Sequence, residues 1–253
     1  MHIGSINKGL QQTEQLLRTF MKKSVAILQS NYIPWKGYFD IINMVDEFIL
    51  YDDCQYTKND WRNRNRIKAQ NNLLWLTIPV KYSKRSGQKI CETEISDVRW
   101  ADKHWKTIQT YYGKAKYFRE VGPILHSLYN DAKNFKKLSQ INYFFIHAIV
   151  RLLGIDTKIS FSMDYKLRGG RNENLIELLN QTKADLYLSG PAAAEYIDEE
   201  VFKKNEIQLQ WMSYTGYPEY KQVNQPFEHS VSIIDLLLCV GIKDAAKYML
   251  SFG

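Results

Sequence analysis

The chain has 253 residues, 45% of them hydrophobic and 13% aromatic, with a net charge of +7. That length supports one sizeable core or two small domains sharing an interface, and that composition excludes a disordered or fibrous chain. No apolar run reaches the roughly 18 residues of a membrane helix, and three cysteines (Cys54, Cys91, Cys239) without CxxC spacing argue against a disulfide framework or structural zinc and fit a reducing cytosol.

Residues 1–20 are polar and glutamine-rich and precede a second methionine, Met21, and Lys22-Lys23. They read as a leader, either foreign to the protein or loosely attached. The apolar run 24–29 is then a buried first strand, and 30–36 (SNYIPWK) is a loop, because its proline cannot continue a strand. Residues 37–45 have helical spacing at Phe39, Ile42 and Val45, and 47–51 form a second strand that ends in Asp52-Asp53. Strand, loop, helix, strand opens a parallel βαβ unit, and such sheets bind ligands beyond the carboxyl ends of their strands. Asn31, Tyr32, Trp35, Asp52 and Asp53 all fall at such ends.

The segment 51–68, YDDCQYTKNDWRNRNRIK, holds the densest chemistry. With 61–68 extended, side chains alternate, so Arg62, Arg64, Arg66 and Lys68 share one face, with Asn63 and Asn65 on the other. Arginine forks suit phosphate and carboxylate oxygens, and the asparagines Asn63 and Asn65 can read a sugar or base edge. Between Lys58 and Lys89 nine cations face one carboxylate, Asp60, while the rest of the chain is near neutral. A positive field so concentrated favours an anionic partner. The plain alternative is a salt-bridged surface hairpin. Cys54 reads as a small filler more than as a nucleophile, since no histidine adjoins it.

Residues 73–80 are a third strand and 82–88 an exposed basic loop. Residues 100–155 become helical, at 100–112, 122–131 and 135–153. Alternation then returns as strand 158–163, helix 172–181, strand 185–189, helix 191–204 and strand 208–212. Two helices within 230–250 join near Gly241. The pattern predicts an α/β fold with a Rossmann-like, mostly parallel sheet. An N-terminal half (21–99) and a C-terminal half (156–253) enclose a helical insertion (100–155) in one compact unit. Ser189-Gly190-Pro191 repeats the strand-end theme, with small residues before a helix whose early N–H groups can hold an anion.

Among the histidines, His126 and His147 lie on apolar helical stretches and His104 suits capping or packing. His229 immediately precedes a predicted helix, where it serves either as a cap or as a base held by Glu228. No histidine pair has metal spacing. Asp52 is the candidate for a magnesium ion shared with a nucleotide's phosphates, although adjacent strand residues face opposite ways.

Several stretches together resemble the WbqC-like family of bacterial proteins: QSNYIPWKGYFD at 29–40, DDCQY at 52–56 running into 60–68, TIPV at 77–80, LSGP at 188–191 with Tyr196, and His229 with Asp235-Leu236-Leu237. The resemblance covers nearly everything after Met21 and implies a part in making surface polysaccharide such as O-antigen or related lipopolysaccharide. The opening strand, loop, helix and acid-ended strand are also similar to nucleotidylyltransferase folds, without their motif histidine. These readings combine into an expectation of a cytoplasmic transferase acting on a nucleotide-linked amino sugar. Arg62, Arg64 and Arg66 would clamp the diphosphate, and Tyr32, Trp35 and Trp61 would face sugar or base. Asn31, Gln55, Asn63, Ser189 and Gly190 would complete the binding set, with Asp53 or His229 as the base. The rivals are a non-catalytic RNA- or glycolipid-binding protein and a scaffold for glycosyltransferases, with long nucleic acid the less favoured partner.

Overall fold

A computed structural model describes residues 22–83 and 87–252. The segment 1–20 and part of the loop 82–88 lie outside the described residues.

Strand β1 (Ser24–Leu28) is followed by helix α1 (Lys36–Asn43) and strand β2 (Glu47–Leu50). The two strands pair in parallel, Val25 to Leu28 against Glu47 to Leu50. Strands β5 (Lys158–Phe161), β6 (Leu186–Ser189) and β7 (Gln208–Trp211) complete one five-stranded sheet in the order β5-β2-β1-β6-β7, parallel throughout. Counted along the chain this is the order 3-2-1-4-5 of a doubly wound fold. The chain builds from β1 to one edge, then crosses back, so the strand order reverses between β1 and β6. The mostly parallel α/β sheet expected from the alternation is the one found.

Side-chain alternation sets the two faces. Val25, Ile27 and Ile49 bury against Leu175, Leu178 and Leu179 of α5 (Arg171–Thr182), with Phe202 of α6 (Glu199–Lys204) beside them. Ala26, Phe48 and Leu50 face α1 and a helical layer made of α2 (Trp100–Tyr112), α3 (Phe118–Ala132), α4 (Leu138–Leu152) and α7 (Ile233–Val240). Helix α3 starts four residues before the predicted 122, because Pro123 is carried inside it and does not open it.

Two elements differ from the sequence reading. The strand expected over 73–80 is shorter, Leu73–Thr77, and lies outside the main sheet. Leu73–Thr77 (β4) pairs antiparallel with Arg64–Lys68 (β3) as a separate hairpin, Arg66 opposite Trp75 and Arg64 opposite Thr77. An apolar run declares a strand but not its partner. The helix expected over 191–204 is a 3-10 turn, Pro191–Glu195, a break, and then α6, capped by the Asp198 carboxylate on the N–H of Glu200. A five-residue 3-10 turn lacks the aligned N-terminal donors expected after Gly190. At the C-terminus Gly241 has φ +84 and separates α7 from α8 (Ile242–Ala245). A Cβ there would meet the Tyr117 ring at 2.7 Å, so both backbone angle and space require glycine.

Candidate functional site

The loop leaving β1 is built from beneath. Asp52 is fully buried, and its Oδ1 accepts the N–H of Ser30 at 2.8 Å. Its Oδ2 is buried without a hydrogen-bond partner among the described residues. Burial raises the Asp52 pKa against the opposing Ser30 bonds. From above, the Asn65 amide donates to the carbonyls of Tyr32 and Ile33, at 3.0 Å each. It holds Ile33 at φ +36, a conformation that β-branched residues avoid. Past this bend the Trp35 ring lies directly on Gly37, where a Cβ would come within 2.3 Å of it.

Trp35 forms one wall of an open cleft of about 520 Å³, lined also by Asn31, Pro34, Trp61, Asn65, Tyr214, Gly216, Tyr217, His229 and Ser230. It meets Tyr214 and Tyr217 at centroid distances of 5.1 and 5.4 Å. Lys36 pins the Tyr217 side. Its ammonium donates to Pro218 O at 2.9 Å and lies 4.9 Å from the Tyr217 ring centre, and burial lowers its pKa to about 8 against the pull of Asp40 and Asp235. The cleft therefore sits beyond the carboxyl ends of β1 and β7, next to the reversal point. The turn after β6 reaches its edge, since a Cβ on Gly190 would lie 3.7 Å from the Tyr214 hydroxyl. A larger groove of about 740 Å³, lined by Lys114, Lys116, Lys221 and Lys247 among others, contains none of the predicted site residues.

The arginine row runs beside the cleft. Arg62 donates to Asn31 Oδ1, at the β1 end, and meets Asp60 at 3.4 Å. Burial would raise the Asp60 pKa, but Arg62, Thr57 and the N–H of Trp61 together hold it low. The Arg64 guanidinium stacks 4.1 Å from the Trp75 ring centre, and that of Arg66 lies 5.4 and 5.5 Å from Trp61 and Trp75. All three Nε atoms are buried without a hydrogen-bond partner among the described residues. Trp61 and Trp75 pack at 5.3 Å yet remain 38% and 40% exposed. At the far end Arg66 faces Glu228, whose carboxylate is held low first by Ser230, through its hydroxyl and N–H.

Of the predicted residues, the fold gathers Asn31, Trp35, Trp61 and His229 in the cleft, with Arg62, Arg64 and Arg66 along its side. Others lie elsewhere. Tyr32 is fully buried, its hydroxyl joined to His104 Nδ1 at 2.9 Å and to Tyr129 at 2.8 Å, so it packs the core. Asn63 points inward, its amide donating to Ile78 O. Gln55 is exposed outside the lining, on a bridge to Lys89. Asp53 accepts the Ser162 hydroxyl at 2.5 Å and does not line the cleft. Ser189 is buried, its hydroxyl near Tyr187. Burial pushes the Cys54 thiol up to about 11, which suits a filler. Asp52 is too enclosed to share an ion with a ligand in the cleft, and among the described residues no three His, Cys, Asp or Glu side chains converge as a metal site.

His229 is not the cap of the helix that follows, and Glu228 is not positioned to hold it. The cap of α7 is Ser232, whose hydroxyl accepts the N–H of Ile234, and Glu228 is engaged with Ser230. The imidazole instead stands exposed in the cleft lining against the Phe227 ring, 4.6 Å between centres. The sequence reading missed Tyr214, Tyr217 and Ser230. A signal existed for the tyrosines: SYTGYP at 213–218 follows the carboxyl end of β7, where such sheets bind ligands.

The WbqC-like protein family model matches residues 29–247. The chain is also 48% identical over 227 residues to the uncharacterized protein Rv1507c of Mycobacterium tuberculosis, covering 90% of this chain and 97% of that protein. No solved structure matches. With the resembling motifs spread from the β1 loop to the start of α7 and the family match spanning that whole range, the chain belongs to the WbqC-like protein family.

Proposed function

We propose that this protein is a transferase that modifies the amine of a nucleotide-linked amino sugar, by acyl or aminoacyl transfer, in the making of surface polysaccharide. The observation that carries this reading is the arginine row, in which Arg64 and Arg66 have no ion pair among the described residues, beside an aromatic and amide-lined cleft at the sheet's carboxyl edge. Neighbouring guanidiniums repel one another, and an anionic ligand relieves that repulsion. Trp35, Tyr214 and Tyr217 offer flat apolar faces with polar edges, as a sugar ring requires, and the Asn31 and Asn65 amides lie among them. An ammonium cannot attack a carbonyl, so the amine must reach the reacting complex unprotonated or lose its proton there. His229 is the exposed base of the lining. As the amine nitrogen bonds to the donor's carbonyl carbon, His229 takes the nitrogen's proton and the bond to the donor's leaving group breaks.

The test is titration calorimetry with uridine diphosphate-linked glucosamine. Arg64→Ala should weaken binding about tenfold, as loss of a charge-assisted phosphate contact does. His229→Ala should leave binding nearly unchanged. Binding of RNA with a steep salt dependence, and of no nucleotide sugar, would favour the RNA-binding rival and overturn the proposal.

A further inference from the structure

The cleft continues along one side onto the β3–β4 hairpin, by way of Trp61. Trp61 belongs both to the cleft lining and to the ladder on the outer side of the β3–β4 hairpin. From Trp61 the ladder passes to Arg66, Trp75 and Arg64, each guanidinium within 5.5 Å of an indole centre. Stacking occupies the face of a guanidinium and leaves its N–H edge available. Neither Arg64 nor Arg66 has a side-chain hydrogen bond or ion pair to another described residue, so their donors are not committed within the described fold. Partly exposed indoles beside cations whose donors are uncommitted suit a ligand that is both flat and anionic. The register enforces the arrangement, because Trp75 is directly opposite Arg66 and both therefore project from one face of the hairpin.

We infer that the Trp61–Arg66–Trp75–Arg64 ladder is an outer subsite that takes the diphosphate and the nucleobase of the ligand, while the cleft takes its sugar. This rests on the nucleotide-sugar reading above and adds an orientation and a specificity to it. The diphosphate lies along the guanidinium edges and the base stacks on the exposed indole of Trp75. The ladder reads the base by its flat face, and every base has one, so the subsite is tolerant of base identity and selection falls on the sugar. The base is thus placed outside the sheet edge, on the inserted hairpin, and not in the crevice that the strand reversal forms.

Calorimetry on the full chain tests this with glucosamine linked to uridine, thymidine or guanosine diphosphate, and with glucosamine 1-phosphate. The three nucleotide sugars should bind within about fivefold of one another. Trp75→Leu should weaken all three about tenfold and change glucosamine 1-phosphate less than twofold, whereas Trp75→Phe should restore most of the loss. Trp35→Ala should weaken all four ligands. If the nucleotide sugars bind but Trp75→Leu leaves them unchanged, or one base is preferred a hundredfold, the outer subsite is wrong while the nucleotide-sugar reading stands. If the wild-type chain binds none of the nucleotide sugars, the reading and the subsite fall together.

Discussion

The two ends of the main sheet treat charge in opposite ways. At the amino end, Glu47 is completely buried, yet its carboxylate has four partners: Lys23 at 2.7 Å, Lys158 at 2.9 Å, Ser160 at 2.7 Å and Tyr165 at 2.8 Å. Burial pushes its pKa up, but those bonds outweigh it and hold the carboxyl at about 2. Beyond the carboxyl end, Arg64 and Arg66 keep buried Nε atoms with no such partners among the described residues. A buried charge must be compensated, and the fold does so where the charge serves stability. Where it does not, the missing partner is what the proposed anionic ligand would supply. His104 and His229 repeat the contrast. The first is enclosed between Tyr32 and the carbonyl of Thr77, and the second is open in the cleft.

The comparison breaks first at Glu47. Glu47→Ala should cost about 3 kcal/mol in denaturant unfolding, the low end for a disrupted buried pair because both lysines reach water. Nucleotide-sugar affinity should not change. Since its folded pKa is depressed, Glu47 contributes fully above the usual carboxylate range and its contribution is lost as pH falls from about 4.5 towards 2. An unfolding free energy within 0.5 kcal/mol of wild type, on the scale of about 0.5 for neutral surface changes, would remove the contrast.

His104 gives the next largest effect. Burial lowers its pKa to about 4, against the usual 6.5. Between those values the unfolded chain takes up a proton that the folded one refuses. Stability is therefore full above pH 6.5 and declines as pH falls, by about 2 kcal/mol at pH 5. Unfolding curves at pH 7.5, 6 and 5 should show this slope in the wild type and a flatter one in His104→Gln, which has no group titrating in that window. Equal slopes would mean that His104 titrates as an exposed imidazole does.

The smallest effect sharpens the other side. The double variant Arg64→Ala, Arg66→Ala should lose no more than about 1.5 kcal/mol of stability, because the guanidiniums stack on partly exposed indoles and have no hydrogen bond or ion pair to a described residue. Millimolar pyrophosphate should raise the wild-type melting temperature by a few degrees, as about 1 kcal/mol of binding does for a chain of this size, and leave the double variant unmoved. A large loss of stability without any anion would make the row structural.

Much of this was legible in the residues. The spacing over 100–112 gives a helix with the limits that α2 has, and apolar runs with the turn residues after them mark the strand ends. Other features depended on distant contacts. Tyr32 looked like a cleft residue because its neighbours Asn31 and Trp35 are. Its hydroxyl meets Tyr129, 97 residues away, and that partner turns it into the core. His229 precedes a helix and so reads equally as a cap or a base, and only the fold shows that Ser232, three residues on, is the cap. Gly37 was visible as a helix residue, but its use as the seat of the Trp35 ring was not.

The sequence by itself determined the parallel α/β alternation, the location of the positive charge and the family, because strand periodicity, charge and motifs are local properties. Tertiary structure alone decided which strand ends share a cleft. The segment from Tyr214 to Ser230 returns across the loop that follows β1 and closes its far wall. Lys36 reaches Pro218 from 182 residues away, and Ser232 N–H donates to Arg66 O on the hairpin at 2.8 Å. Such contacts depend on how sheet, hairpin and helical layer pack, and no spacing of residues along the chain encodes them.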